Sequence, residues 1–197
     1  YKIFNKNIEK NEEHITIVYK RILKELGFKN IDTAYDIPVD EKSEENVGKF
    51  LIEKNVVRGI AVNLFGAKKN TKFTYEKSFE LLKLLLEHAE NYKVILLYSP
   101  IEKEILEKLV LELNDENLIY YNNSKTIFDS ISIIKKMELV ISPDTSIVHI
   151  SEGLKKRVIA FYTSSDNDFL KWKINDRNQM IRCSNINNID FKILMKE

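Results

Sequence analysis

The chain predicts an α/β domain, a parallel β-sheet with helices on both faces, and three observations lead there. Short apolar runs of strand length recur between residues 58 and 162. Between them lie segments whose apolar residues repeat at the spacing of an amphipathic helix. Such alternation makes βαβ crossovers, which require a parallel sheet covered on both sides. Third, the apolar fraction of 44% supports a real core, and 197 residues suit one packed domain, or one domain plus an appendage, rather than two full α/β domains.

Each element has its own signal. Residues 14–26 carry Ile15, Val18, Tyr19, Ile22, Leu23 and Leu26 at helical spacing, and Gly27 follows where a helix end favours positive φ. Residues 28–42 read as an extended connector around Pro38, and Ser43 is expected to cap a helix over residues 44–55. Residues 1–55 are thus expected to be a helical lead-in and interdomain linker, and residues 56–197 the α/β domain. There, strands are expected at 58–65, 93–98, 118–121, 138–142 and 157–162. The helices between them are expected at 75–90, 101–113, 125–137 (capped by Ser124) and 146–155. Residues 163–176 read as a polar loop around Trp172, 179–183 as a last strand and 189–196 as a terminal helix.

Composition excludes several functions. With 31 basic and 30 acidic residues the net charge is +1, so no large field addresses nucleic acid or an anionic membrane. No apolar run approaches a bilayer span, so membrane association is at most peripheral, and no signal peptide is visible. The lone Cys183 cannot form an internal disulfide, which fits a reducing cytoplasm, and it has no expected activating base. His14, His88 and His149 lack metal-ligand spacing, so no metal is expected. Dinucleotide-binding, Walker A and Gly-x-Ser-x-Gly signatures are absent from the sequence. The chain begins at Tyr1 rather than Met, and an N-terminal portion is expected to precede it.

In a doubly wound sheet, ligands bind outside the carboxyl ends of the strands. That rule nominates three loops. The first, Gly66-Ala67-Lys68-Lys69-Asn70-Thr71-Lys72-Phe73-Thr74, combines a glycine for close backbone approach with three lysines and two hydroxyls before a helix, as a diphosphate cradle would. The same lysines also read as ordinary solvated charges. The second loop places Glu102 in the first turn of a helix, where a carboxylate ordinarily compensates the dipole. The third carries Pro143-Asp144-Thr145-Ser146 followed by His149. Asp144 or Thr145 can cap the helix there, while the helix amides and His149 can hold phosphate.

The segment Leu139-Val-Ile-Ser-Pro-Asp144-Thr145-Ser146-Ile-Val-His149-Ile-Ser-Glu-Gly-Leu154, with Val158-Ile-Ala-Phe-Tyr162 after it, resembles glycosyltransferase family 9, the lipopolysaccharide heptosyltransferases. The stretch from Asn63 to Phe73 is similar to that family's post-strand loop ending in Lys-Trp-Pro. Tyr98 to Glu102 looks like its Gly-x-x-x-Glu, and Trp172 stands where the family has a Trp. Departures are Ser146 and Tyr98 where the family has Gly, Phe73-Thr74 for Trp-Pro, and Ser151 for a small Ala.

The resemblance implies a Rossmann-like fold, the C-terminal half of a GT-B enzyme that transfers sugar with inversion and without a metal. Its donor would be a nucleotide-diphosphate sugar, ADP-heptose, and its acceptor a lipopolysaccharide or related lipid-linked or oligosaccharide glycan bound by the missing domain. By carry-over Lys72 would neutralise the diphosphate, Glu102 would bind the ribose, and Asp144, Thr145 and His149 would engage the phosphates and sugar; Gly66 and Thr71 of the first loop and Ser146 of the third complete the expected donor-binding set. The catalytic base is expected in the missing domain, no cofactor is implied, and the fragment alone would be inactive. The implied location is the cytoplasm, or the inner face of the bacterial inner membrane. The alternatives are a GT-B enzyme with a UDP- or GDP-linked donor and a non-catalytic α/β nucleotide-binding module.

Overall fold

A computed structural model describes residues 13–66, 69–163 and 166–195, the side chains of Asn167 and Met195 apart. In chain order the regular elements are α1 (Ile15–Glu25), α2 (Glu41–Glu53), β1 (Gly59–Asn63), α3 (Tyr75–His88), β2 (Lys93–Leu97), α4 (Lys103–Leu113) and β3 (Leu118–Tyr120). They continue with α5 (Ile127–Lys136), β4 (Leu139–Pro143), α6 (Ser146–Gly153), β5 (Arg157–Tyr162), α7 (Asp166–Trp172) and β6 (Gln179–Arg182). Two compact units result. One holds α1, the segment to Tyr35, and α7 to Lys173; the other runs from Asp36 to Thr163 and resumes at Ile174.

In the first unit, α1 ends as its sequence implies. Gly27 takes φ +90°, and its N–H and that of Phe28 return to the carbonyls of Lys24 and Leu23 at 2.9 and 3.1 Å. The expected polar loop around Trp172 is instead the helix α7, whose first turn carries Asp166 and Asp168 and whose last turn carries Lys171. Those charges complement the helix dipole, a signal the loop reading overlooked.

The second unit is a six-stranded sheet in the order β3-β2-β1-β4-β5-β6, parallel throughout. The fold class is therefore the expected one. Period-two alternation feeds two cores. Ile60, Val62, Val94, Leu96 and Ile141 pack on one face with α3, α4 and the C-terminal Phe191. Ala61, Ile95, Leu97 and Val140 pack on the other with Val47 and Leu51 of α2, Ile133 and Ile134 of α5, and Ile147 of α6. Strands buried on both faces are apolar along most of their length, as a parallel sheet favours.

Three local expectations are corrected. Asp40, not Ser43, caps α2: its Oδ2 accepts the Ser43 N–H at 2.8 Å, while Ser43 is itself buried inside the helix. Thr126, not Ser124, caps α5, because the Asp129 carboxylate three residues on accepts the backbone N–H groups of Lys125 and Thr126 at 2.9 and 3.0 Å. The expected terminal helix is replaced by two 3-10 turns, Ile186–Asn188 and Phe191–Met195. Asn185 and Asp190 accept backbone N–H bonds from Asn187 and Lys192, two residues on, and so compete with helical pairing.

At the amino edge of the sheet, Arg58 grips Glu138 through two parallel bonds of 2.9 Å and Tyr92 donates to the same carboxylate at 3.1 Å. The residues leading into β1, β2 and β4 are thereby tied together. Among the described residues, no helix is long and apolar enough to cross a membrane.

Candidate functional site

β1 is central, with β2 on one side and β4 on the other, so the loops leaving these three strands stand side by side at the carboxyl edge. The connection reverses direction between β1 and β4, which is where open α/β sheets leave a crevice. The loops leaving β1 and β4 flank that point, and the loop leaving β2 lies on the far side of β1.

A buried amide joins two of them. Asn63, the last residue of β1, is 6% exposed. Its Oδ1 accepts the Phe65 N–H at 3.1 Å, and its Nδ2 reaches the Phe65 carbonyl at 3.2 Å, Ser142 Oγ at 3.0 Å and Thr145 Oγ1 at 3.2 Å. Ser142 Oγ donates to the Pro143 carbonyl at 2.7 Å, which leaves its lone pair to Asn63. The exit of β1 and the turn before α6 are thus one hydrogen-bonded unit. The sequence reading did not single out Asn63 as a site residue. Its signal was a polar side chain inside an apolar run, since a buried amide needs partners.

Beyond Asn63 the chain folds tightly on itself. A Cβ on Gly66 would stand 2.6 Å from the Thr71 carbonyl carbon and closer still to its oxygen, so only glycine fits. Thr71 is buried, and the Phe73 N–H donates back to the Leu64 carbonyl at 3.1 Å. Phe73 enters the core edge-on to Phe161 and Phe191. Lys72 is therefore held between two buried neighbours, with Nζ 5.2 Å from the centroid of the Phe65 ring. Lys69 is exposed in a 3-10 turn, and Ala67 and Lys68 lie outside the described residues.

A second amide, also missed, fastens this loop from the C-terminal segment. Asn187 Nδ2 donates to the Lys72 carbonyl at 3.1 Å, and its Oδ1 accepts the Thr74 N–H at 2.7 Å. Thr74 in turn caps α3. No local pattern marks this role of Asn187, because the loop groups it fastens lie more than a hundred positions away.

On the β4 side the cap is Thr145, whose Oγ1 accepts the Ile147 N–H at 3.3 Å. The Asp144 N–H still belongs to the sheet, donating to the Phe161 carbonyl at 2.9 Å. Ser146 is exposed as the first residue of α6. His149 lies in the same turn, its Nε2 3.9 Å from Asp144 Oδ1, so this pair makes a cation-bearing corner when the ring is protonated. Glu102 stands apart on the β2 side. Its Oε2 accepts the Ser99 N–H at 3.0 Å and the Ser99 hydroxyl at 2.6 Å, in a capping box around the turn Pro100–Glu102. Tyr98, just before, is buried and donates to the carbonyls of Tyr121 and Asn122, and burial raises its phenol above the usual range. Cys183 follows β6 and is half-buried against the core, and burial raises its thiol above the usual range.

The model of the family described as glycosyltransferase family 9 (heptosyltransferase) matches residues 5–197. An Escherichia coli (strain K12) protein provisionally named lipopolysaccharide heptosyltransferase 4 is 27% identical over 169 residues, 84% of this chain and 43% of its own length. Among solved structures, a family 9 glycosyl transferase from Veillonella parvula DSM 2008 superposes with a TM-score of 0.72 at 14% identity, over 97% of this chain and 55% of that one. The E. coli heptosyltransferase WaaC with ADP gives 0.70 at 14%, over 98% and 58%. The chain spans about half the length of these relatives.

Proposed function

The chain belongs to glycosyltransferase family 9, the heptosyltransferases, and from that premise we propose that it is the donor-binding half of a GT-B transferase. Its ligand is a nucleotide-diphosphate sugar, ADP-heptose, transferred with inversion to a lipopolysaccharide or related glycan. The observation that carries this reading is the Asn63 clamp, which joins the Lys72 loop to the turn opening α6 across the switch point. The ADP in the related WaaC structure and the name of the E. coli relative support the choice of nucleotide and sugar.

In the proposed mechanism the acceptor hydroxyl attacks the anomeric carbon from the face opposite the diphosphate, and the C–O bond to the diphosphate breaks. Negative charge develops on the departing phosphate oxygens. Lys72 Nζ, the amides at the start of α6 and His149 stabilise it without a metal. Thr71 and Gly66 shape the cradle, Thr145 and Ser146 present the helix terminus, and Asp144 orients the His149 ring. Glu102 Oε1 accepts from a ribose hydroxyl while Oε2 keeps its bonds to Ser99. The general base and the acceptor site lie outside these residues, so the chain by itself binds donor and transfers little, at the cytoplasmic side of a membrane it touches only peripherally.

Calorimetric titration with ADP, UDP and GDP tests the reading. ADP is expected to bind most tightly, and Lys72→Ala to weaken it by about tenfold to a hundredfold, the worth of one charge-assisted contact. Binding of UDP alone would sink the ADP assignment, and an unchanged affinity in Lys72→Ala would sink the phosphate role.

A further inference from the structure

The sheet has a second edge, and it too is hollowed. A cavity of about 690 Å³ opens at the amino ends of the strands, where Ile60, Leu139, Arg157 and Gln179 begin or nearly begin β1, β4, β5 and β6. It lies at the opposite end of the strands from the loops that carry Lys72 and His149.

Three donors in its wall have no matching acceptor. Arg157 and Arg177 both line the cavity, and among the described residues neither guanidinium takes part in a hydrogen bond or ion pair. The third donor is Asn178, 8% exposed. Its Oδ1 accepts the Val158 N–H at 3.0 Å, which fixes the amide orientation and leaves the NH₂ as the other end. That Nδ2 is buried and has no hydrogen-bond partner among the described residues. A buried donor is retained at a cost unless something supplies an acceptor.

Glu138 and Asp176 also line the cavity, and neither fills that need. Glu138 is gripped by Arg58 and Tyr92, and Asp176 is already engaged. His88 Nδ1 meets the Leu84 carbonyl at 3.0 Å, so that nitrogen carries the hydrogen and donates there.

We propose that this amino-edge cavity binds the phosphate group of a small phosphorylated ligand, through Arg157, Arg177 and the Asn178 amide. Guanidinium forks match the geometry of phosphate oxygens, and the amide adds the neutral donor that fixes register. The volume falls within the range of small-molecule sites and is far larger than one phosphate needs, so the ligand carries a further group. The same chemistry is offered by a soluble phosphorylated metabolite and by a phospholipid headgroup.

The test is calorimetric titration of inorganic phosphate into the full chain with ADP held at saturation. Binding is expected to persist, to fall by at least about tenfold in Arg157→Ala/Arg177→Ala, and to fall similarly in Asn178→Asp. The Asn178→Asp variant keeps the oxygen that Val158 requires and replaces the NH₂ donor with a carboxylate oxygen that repels phosphate, so it tests recognition with the fold intact. Circular dichroism melts check that both variants remain folded. A double-arginine variant that titrates like the wild type overturns the site, as does the absence of any phosphate signal. The arginine comparison stands whether or not ADP binds at the other edge, so its failure is distinguishable from failure of the donor-binding reading. Co-sedimentation with phosphatidylglycerol vesicles, lost in the double variant, assigns the phosphate to a headgroup; wild-type protein left in the supernatant assigns it to a soluble ligand.

Discussion

Gly66 is the residue on which the Lys72 loop turns. Replacing it with alanine drives a methyl group into the Thr71 backbone, and the overlap cannot be relieved by a side-chain rotation. Gly66→Ala is expected to cost about 1–3 kcal/mol in urea unfolding, the usual penalty of overpacking. The same variant should lose nucleotide affinity in calorimetry, because Thr71 and Lys72 must move together. An unchanged affinity would show that the cradle does not depend on this close approach. The glycine, the lysine and the threonines were visible in the sequence as a loop with the right composition. Asn63 and Asn187 were not singled out, for different reasons. The first lay inside a run read as apolar, and the second acts through bonds that only the folded chain brings together.

At the level of elements, the strands were legible to within one or two residues at most ends, because burial on both faces leaves long apolar runs. Helix starts were less legible. A cap depends on which of several polar side chains can turn back on the first turn, and Asp40 and Thr126 outcompeted the nearby serines. The α5 start makes this measurable. Asp129 accepts from Lys125 and Thr126, so Asp129→Ala should destabilise the protein by about 1 kcal/mol in urea, the typical worth of a cap. Ser124→Ala should leave the midpoint within error. The reverse ranking would return the cap to Ser124.

On the scale of the whole molecule, the sheet is held at its amino edge by charge as well as by packing. Arg58 holds the Glu138 carboxyl below its ordinary value of 4.5. A depressed folded-state value means that the contribution is present above the unfolded value and is lost as pH falls through the folded one. Melting temperature is therefore expected to drop as the pH is lowered from roughly 6 to 3, and Glu138→Gln to remove part of that drop. Superimposable pH profiles for the two proteins would refute the link.

The bonds from Asn187 to Lys72 and Thr74 span 115 and 113 positions of sequence. During synthesis, most of the sheet has left the ribosome before the residue that steadies the Lys72 loop is made. On the proposed reading, nucleotide capture therefore waits until residue 187 has been made, and a chain released before it is expected to look folded while holding nothing.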